Sequence, residues 1–167
     1  MLASRSGHVM LIEDKQGNQL LELIPLGEAE LSSLAPLTHA LVVARRVDDK
    51  HLLVFNRFRQ YWELAGGLID AGETPRACAS RELHEESGLV CDPGALRFVG
   101  AMKFLLQPSK FHAEIHIEYG ALYVTQIEIE QLLPFVPNEE ISELCWWDGY
   151  EAIGEISVID RKLIELV

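Results

Sequence analysis

Long apolar runs are missing from this chain of 167 residues. The longest, Ala40 to Ala44 and Leu52 to Phe55, fall far short of the roughly 20 residues a membrane-crossing helix needs. The N-terminus carries one early Arg5 and a four-residue apolar stretch, too short for a secretory signal. Basic residues are scarce as well: 14 Lys and Arg stand against 26 Asp and Glu, a net charge of −12. That balance excludes a protein that holds a nucleic acid polymer by its phosphates. A phosphorylated ligand would need a divalent metal to supply the attraction. Cysteine is limited to Cys78, Cys91 and Cys145, an odd number with no CxxC or zinc spacing. Three reduced thiols in a cytoplasmic protein are expected. Repeats, low-complexity tracts and long linkers are absent too.

What remains is ordinary globular composition, long enough for one domain with an appendage. Residues 8–13 and 19–25 flank Asp14-Lys15-Gln16-Gly17-Asn18, which reads as a β-hairpin. We assign residues 1–36 to an N-terminal hairpin extension and 37–167 to the main domain. The extension is a candidate dimer interface. A helical turn is expected over Glu28 to Leu34, and strands over Ala40 to Arg45 and Leu52 to Asn56. The segment Thr74 to Ser87 has Pro75 at its first turn and Gly88 at its end, the punctuation of a helix. Strands follow over Leu96 to Leu106 and Glu114 to Glu130, then a loop over Pro134 to Glu140. Ile156, Ile159, Leu163 and Leu166 recur at the spacing of an amphipathic C-terminal helix. The pattern predicts an α+β or mixed α/β sandwich.

Chemistry concentrates after Gly66-Gly67-Leu68-Ile69-Asp70-Ala71-Gly72-Glu73. On the helix that follows, Glu82, Glu85 and Glu86 fall within about a 100° arc of one face. Carboxylates so close repel one another: the face is either a solvated acidic surface or one where a hard cation with oxygen ligands relieves the repulsion. Magnesium is the expected ion, with manganese as its substitute. Arg81 stands beside this face, where it can pair with Glu73 or a neighbouring carboxylate.

The spacing closely resembles a known family. Gly67, five residues, Glu73, seven residues, then Arg81-Glu82-Leu83-His84-Glu85-Glu86-Ser87-Gly88-Leu89 fills every position of the Nudix box, the signature of the Nudix hydrolases. Trp62-Glu63-Leu64 leads into the box as in many members, and Trp146-Trp147 follows an acidic loop. One departure is Ala65, where many members have proline. The resemblance implies an α/β/α sandwich with a loop-helix-loop box, and hydrolysis of a nucleoside diphosphate linked to another moiety. It implies Glu82, Glu85 and Glu86 as metal ligands, the Gly67 carbonyl beside them, and Glu73 with Arg81 as a supporting pair.

The proton acceptor is expected at Glu82 or within the Glu139/Glu140 pair. The other reading of Asn138-Glu139-Glu140 is a helix cap with first-turn acids. Arg57, Arg59, Lys103 and Lys110 are candidate phosphate contacts. Trp62, Phe104 and Phe111 are candidate stacking partners for a base, or else core aromatics. ADP-ribose or a nucleotide sugar is the leading substrate class, with a (d)NTP pyrophosphohydrolase as the alternative. A non-catalytic nucleotide sensor is a further possibility. A separate metal-binding module is another: His112, Glu114, His116 and Glu118 alternate as if on one face of a strand.

Overall fold

The computed structural model describes residues 10–128 and 134–167. Nine strands form one mixed sheet: β1 (Ile12–Glu13), β2 (Gln19–Ile24), β3 (Leu37–Arg46), β4 (His51–Asn56), β5 (Tyr61–Glu63), β6 (Ala65–Leu68), β7 (Arg97–Leu106), β8 (His116–Ile127) and β9 (Ile141–Trp147). The main path runs β1-β2-β7-β8-β3-β4-β5, with β6 also paired to β3 and β9 to β4. β3 and β8 are parallel; the other pairs are antiparallel. Among the described residues there are two α-helices, α1 (Pro75–Ser87) and α2 (Val158–Glu165), and two short 3-10 helices, Glu28–Ser33 and Pro93–Ala95.

The apolar run in β3 explains its central place, because both of its faces are covered. Ala40, Val42 and Ala44 pack with Cys78, Ala79 and Leu83 of α1, while Val43 packs with Leu163 and Ile164 of α2. Leu52 and Val54 of β4 join the first group and Leu53 the second. Period-two alternation thus sends successive side chains to opposite helices, giving the α/β/α arrangement.

Local chemistry sets the ends of α1. Thr74 Oγ1 accepts from Ala77 N at 3.2 Å, and Pro75 occupies the first turn. Gly88 closes the helix at φ 75°, donating its amide to His84 O at 2.7 Å.

The expected hairpin is present as β1 and β2, and β2 pairs with β7, so the hairpin continues the sheet. The expected strand over Glu114 to Glu130 is shorter. It begins at His116 because the chain bends at Phe111, Ala113 and Glu114, and Glu130 lies outside the described residues. Pro134 to Glu140 is a loop, as expected. Asn138 caps no helix there: its Oδ1 accepts from Glu140 N at 2.9 Å and Ile141 N at 2.7 Å, turning the chain into β9.

Candidate active site

The Gly-rich strand β6 lies between β3 and α1. Gly66 brings its backbone against β3; a Cβ there would fall 2.3 Å from Ala40 O. Its amide donates to Glu86 Oε2 at 2.9 Å. At Gly67 the missing side chain makes room for Glu82, since a Cβ would sit 2.5 Å from the Glu82 carboxyl carbon. The two glycines therefore allow the box carboxylates to press directly on backbone.

Arg81 ties the preceding loop to the helix. Its Nε donates to Glu73 Oε1 at 2.8 Å and its Nη2 to Glu73 Oε2 at 2.9 Å. Nη2 also reaches Leu68 O at 3.0 Å, while Nη1 reaches Glu82 Oε1 at 2.7 Å and Glu85 Oε2 at 3.1 Å. Glu73 in turn accepts from Asp70 N at 3.0 Å. The Arg81 guanidinium holds the Glu73 carboxyl down to about 2.

Glu86 is buried, and burial pushes its carboxyl up to about 9; the charges of Glu63, Glu82 and Glu140 add to the rise, and the Gly66 amide opposes it. Burial also raises Glu82, against the opposing pull of Arg81. Glu85 is the more exposed member of the three.

The loop before β9 adds Glu140. Asn56, buried at the end of β4, donates through Nδ2 to Glu63 Oε1 at 2.7 Å and to Glu140 Oε1 at 3.1 Å. Arg57 N donates to Glu140 O at 2.8 Å, and Asn138 Nδ2 donates to Glu85 O at 3.1 Å. The loop is thus fastened to both β4 and α1. Glu82, Glu85, Glu86, Glu139 and Glu140 line one cleft of about 490 Å³, with Phe58 and Asn138.

A second cleft of about 310 Å³ lies against the same glycine strand. Its lining includes Gly66, Gly67, Arg59, Tyr61, Phe104 and Asp160. Arg59 Nη1 meets Glu63 Oε2 at 2.7 Å. Asp160 is buried on α2 and accepts from Leu64 N at 2.8 Å; burial pushes its carboxyl up to about 7. Asp14 and Asn18 of the hairpin also line this cleft.

The sequence candidates separate accordingly. Glu82, Glu85, Glu86, Gly67, Glu73, Arg81 and Glu140 come together, and Arg59 and Phe104 line the second cleft. Trp62 does not face either cleft: it is buried, donates Nε1–H to Ile153 O at 2.9 Å and packs edge-on to Phe55. Arg57 lines neither cleft; its backbone, not its guanidinium, is what fastens Glu140. Phe111 is exposed with Lys110 over its ring at 4.9 Å. Glu63, Asn56 and Asp160 were not singled out by sequence. The first was the middle letter of Trp62-Glu63-Leu64, and the other two carry no local signal.

Residues 36–167 match the NUDIX domain. The chain belongs to that family. The NUDIX region begins just before β3, so the hairpin side chains in the second cleft come from outside the matched segment. The chain is 28% identical over 129 residues to the NAD-capped RNA hydrolase NudC of Vibrio atlanticus, covering 75% of this chain and 43% of that protein. It therefore spans less than half the length of that relative. Among solved structures, the Bacillus subtilis pyrophosphohydrolase BsRppH superposes with a TM-score of 0.62 at 18% identity, covering 93% of this chain and 94% of that one. The NUDIX domain of Shewanella oneidensis NrtR, solved with ADP ribose, gives a TM-score of 0.60 at 18% identity, over 84% of this chain and 96% of that one. At those identities the likeness is one of fold. Among the described residues, no helix is long and apolar enough to cross a membrane.

Proposed function

We propose that this protein is a Nudix pyrophosphohydrolase that uses magnesium, or manganese, to cleave the diphosphate of a nucleoside diphosphate linked to another moiety. The observation that carries the reading is the gathering of Glu82, Glu85, Glu86 and Glu140 at one cleft beside the Gly67 backbone. Carboxylates so arranged, with Glu86 raised by its burial and further by neighbouring carboxylates, suit a hard cation bound by oxygen. Glu82, Glu85 and Glu86, with the Gly67 carbonyl, would hold it. Such an ion supplies charge neutralisation at the diphosphate and lowers the pKa of a water.

The protein's own groups do the rest. Arg81 keeps Glu82 and Glu85 turned toward the cleft and fixes the loop to the helix. Glu140 is the proton acceptor in preference to Glu139, because Asn56 anchors its carboxylate and the turn at Asn138 anchors its backbone. The second cleft, at the small end of the range for ligand pockets, takes the nucleoside or sugar portion. Arg59 is the cation offered to an anionic group there. ADP-ribose and nucleotide sugars remain the leading class, supported by a second cleft walled by the glycine strand on which Glu82 and Glu86 rest and by the ADP ribose bound to the Shewanella domain.

A hydrolysis screen with magnesium tests this, using ADP-ribose, nucleotide sugars, dinucleoside polyphosphates and (d)NTPs. The Glu85→Gln, Glu86→Gln double variant is the blank. Metal-dependent turnover of a diphosphate-linked substrate, lost in the blank, is expected. Preferential turnover of (d)NTPs would replace the substrate class, and binding without turnover would replace the enzyme with a sensor. Glu140→Gln should lower kcat by about 10²-fold and Glu139→Gln far less, and the reverse order would remove Glu140 as the acceptor.

A further inference from the structure

A second group of metal-ligating side chains stands apart from the box glutamates, where the bends at Phe111, Ala113 and Glu114 lead into β8. His112, His116 and Glu118 each turn one ligand atom inward, and these atoms all lie within 4.8 Å of one another. His116 Nε2 is 3.0 Å from Glu118 Oε1, and His112 Nε2 is 3.8 Å from the same oxygen. Tetrahedral zinc with bonds of about 2.0–2.1 Å places neighbouring ligand atoms about 3.3 Å apart. Both measured separations are within about half an ångström of that value.

The outer atoms of the cluster are already engaged. His116 Nδ1 is 2.9 Å from the Glu114 carbonyl, a contact in which only the nitrogen can donate. That leaves Nε2 as the ligating nitrogen of a neutral ring. Glu118 Oε2 accepts from Thr38 Oγ1 at 2.8 Å, which turns Oε1 toward the histidines. Metal-ligating histidines characteristically give their other N–H to a carbonyl or carboxylate, and ligating carboxylates are hydrogen-bonded in turn. With its Nδ1 proton given to the Glu114 carbonyl, His116 faces a carboxylate oxygen through Nε2. Two acceptors at 3.0 Å require a proton or a cation to join them.

His112 sits on a hydrogen-bonded turn, with Ser109 N donating to His112 O at 2.7 Å and His112 N donating to Ser109 Oγ at 3.3 Å. His116 and Glu118 are held on β8, where they pair across the sheet with Leu106 and Phe104 of β7. Two ligands are thus fixed by the sheet, and the third is carried by a short turn.

We propose that His112, His116 and Glu118 form a site for a zinc-class ion, distinct from the oxygen-only box. Two imidazoles and one carboxylate suit zinc, cobalt or nickel, whereas magnesium prefers oxygen ligands, so the two sites select different metals. Three protein ligands leave a fourth position for water or an anionic group. Glu118 also lines the 310 Å³ cleft, which puts the ion at the edge of the space offered to a ligand. The proposal does not depend on the hydrolase reading.

Cobalt is the probe, added to the full chain in the presence of excess magnesium. One equivalent should give the visible absorption of tetrahedral cobalt, displaced by zinc. His112→Ala and His116→Ala should each weaken cobalt binding at least tenfold, as should Glu118→Gln. The Glu85→Gln, Glu86→Gln variant should keep the band. Loss of fold is controlled through His112, exposed on its turn, whose variant should melt like the parent without metal while losing the zinc-induced rise in melting temperature. Absence of a tetrahedral band, or a band indifferent to both histidine replacements, would leave a proton between His116 and Glu118 and overturn the site.

Discussion

Arg81 grips Glu73 with two parallel hydrogen bonds while its remaining Nη1 spans Glu82 and Glu85. One guanidinium therefore fixes both the loop before the helix and two members of the acidic ring. Lysine cannot reproduce a planar fork. Arg81→Lys should lower turnover by about tenfold or more and lower the melting temperature by several degrees, at about 2–4 °C for each kcal/mol lost at this chain length. A variant with unchanged melting and unchanged kcat would show that the fork is dispensable.

At Gly67 the prediction separates activity from stability. An added methyl would meet Glu82 Oε1 at 2.5 Å and Oε2 at 2.8 Å, and the carboxylate must move aside. Misplacement of a reacting group by about 1 Å can cost about 10²-fold in rate. Gly67→Ala should therefore lose most of its turnover while its melting temperature stays close to the parent's. A large drop in melting with normal kcat in the surviving fold would contradict the placement of Glu82.

Glu86 should trade stability against function. The buried carboxylate is disfavoured in its charged form, and its Gly66 contact needs only an acceptor oxygen, which glutamine retains. Glu86→Gln should melt higher than the parent in a chelator but gain less on adding magnesium. Scanning calorimetry with and without metal checks both halves. An equal magnesium gain in the two proteins would exclude Glu86 from cation binding.

Asp160 gives a pH dependence whose sign follows from its raised carboxyl. The folded chain keeps that proton up to about 7, against an ordinary value of 3.8, so its contribution to stability falls as pH rises from about 4 to about 7 and stays lost above. Asp160→Asn preserves an acceptor for the Leu64 amide and removes the charge. The variant should melt higher than the parent at pH 8 and alike near pH 4. An advantage of equal size at both pH values would point to packing instead.

Much of this site was legible in the sequence because its spacing is local. Glu82, Glu85 and Glu86 share a helix face by periodicity alone, and Thr74, Pro75 and Gly88 mark that helix at both ends. What was not legible depends on pairings between distant segments. Glu140 stands in the sequence only as one of the pair with Glu139; what fastens it, the pairing of β9 with β4 and the Asn56 contact, no window around it reveals. β5 and β6 were passed over because three- and four-residue strands are too short to show alternation. Trp62 sat beside the box and suggested a stacking role, yet an indole whose N–H finds Ile153 O is better served inside. Asp160 draws no attention in the sequence, because its partner, the Leu64 amide, is 96 residues away. In the His112 to Glu118 segment, His116 and Glu118 do alternate on β8, and His112 joins them from outside the strand. The chain bends there, and Glu114 contributes its carbonyl and not its carboxylate.

The glycine strand between the two clefts has a consequence for how such a protein diversifies. On one side its backbone touches Glu82 and Glu86, and on the other it walls the cleft lined by side chains from the hairpin, β7, β8 and α2. The strand carries no side chain at Gly66 or Gly67. Exchanging residues such as Asp14, Tyr61 or Phe104 would reshape the far chamber while the carboxylates keep their anchors. On the proposed reading, such exchanges would change which nucleoside or sugar portion fits while leaving the acidic ring as it is.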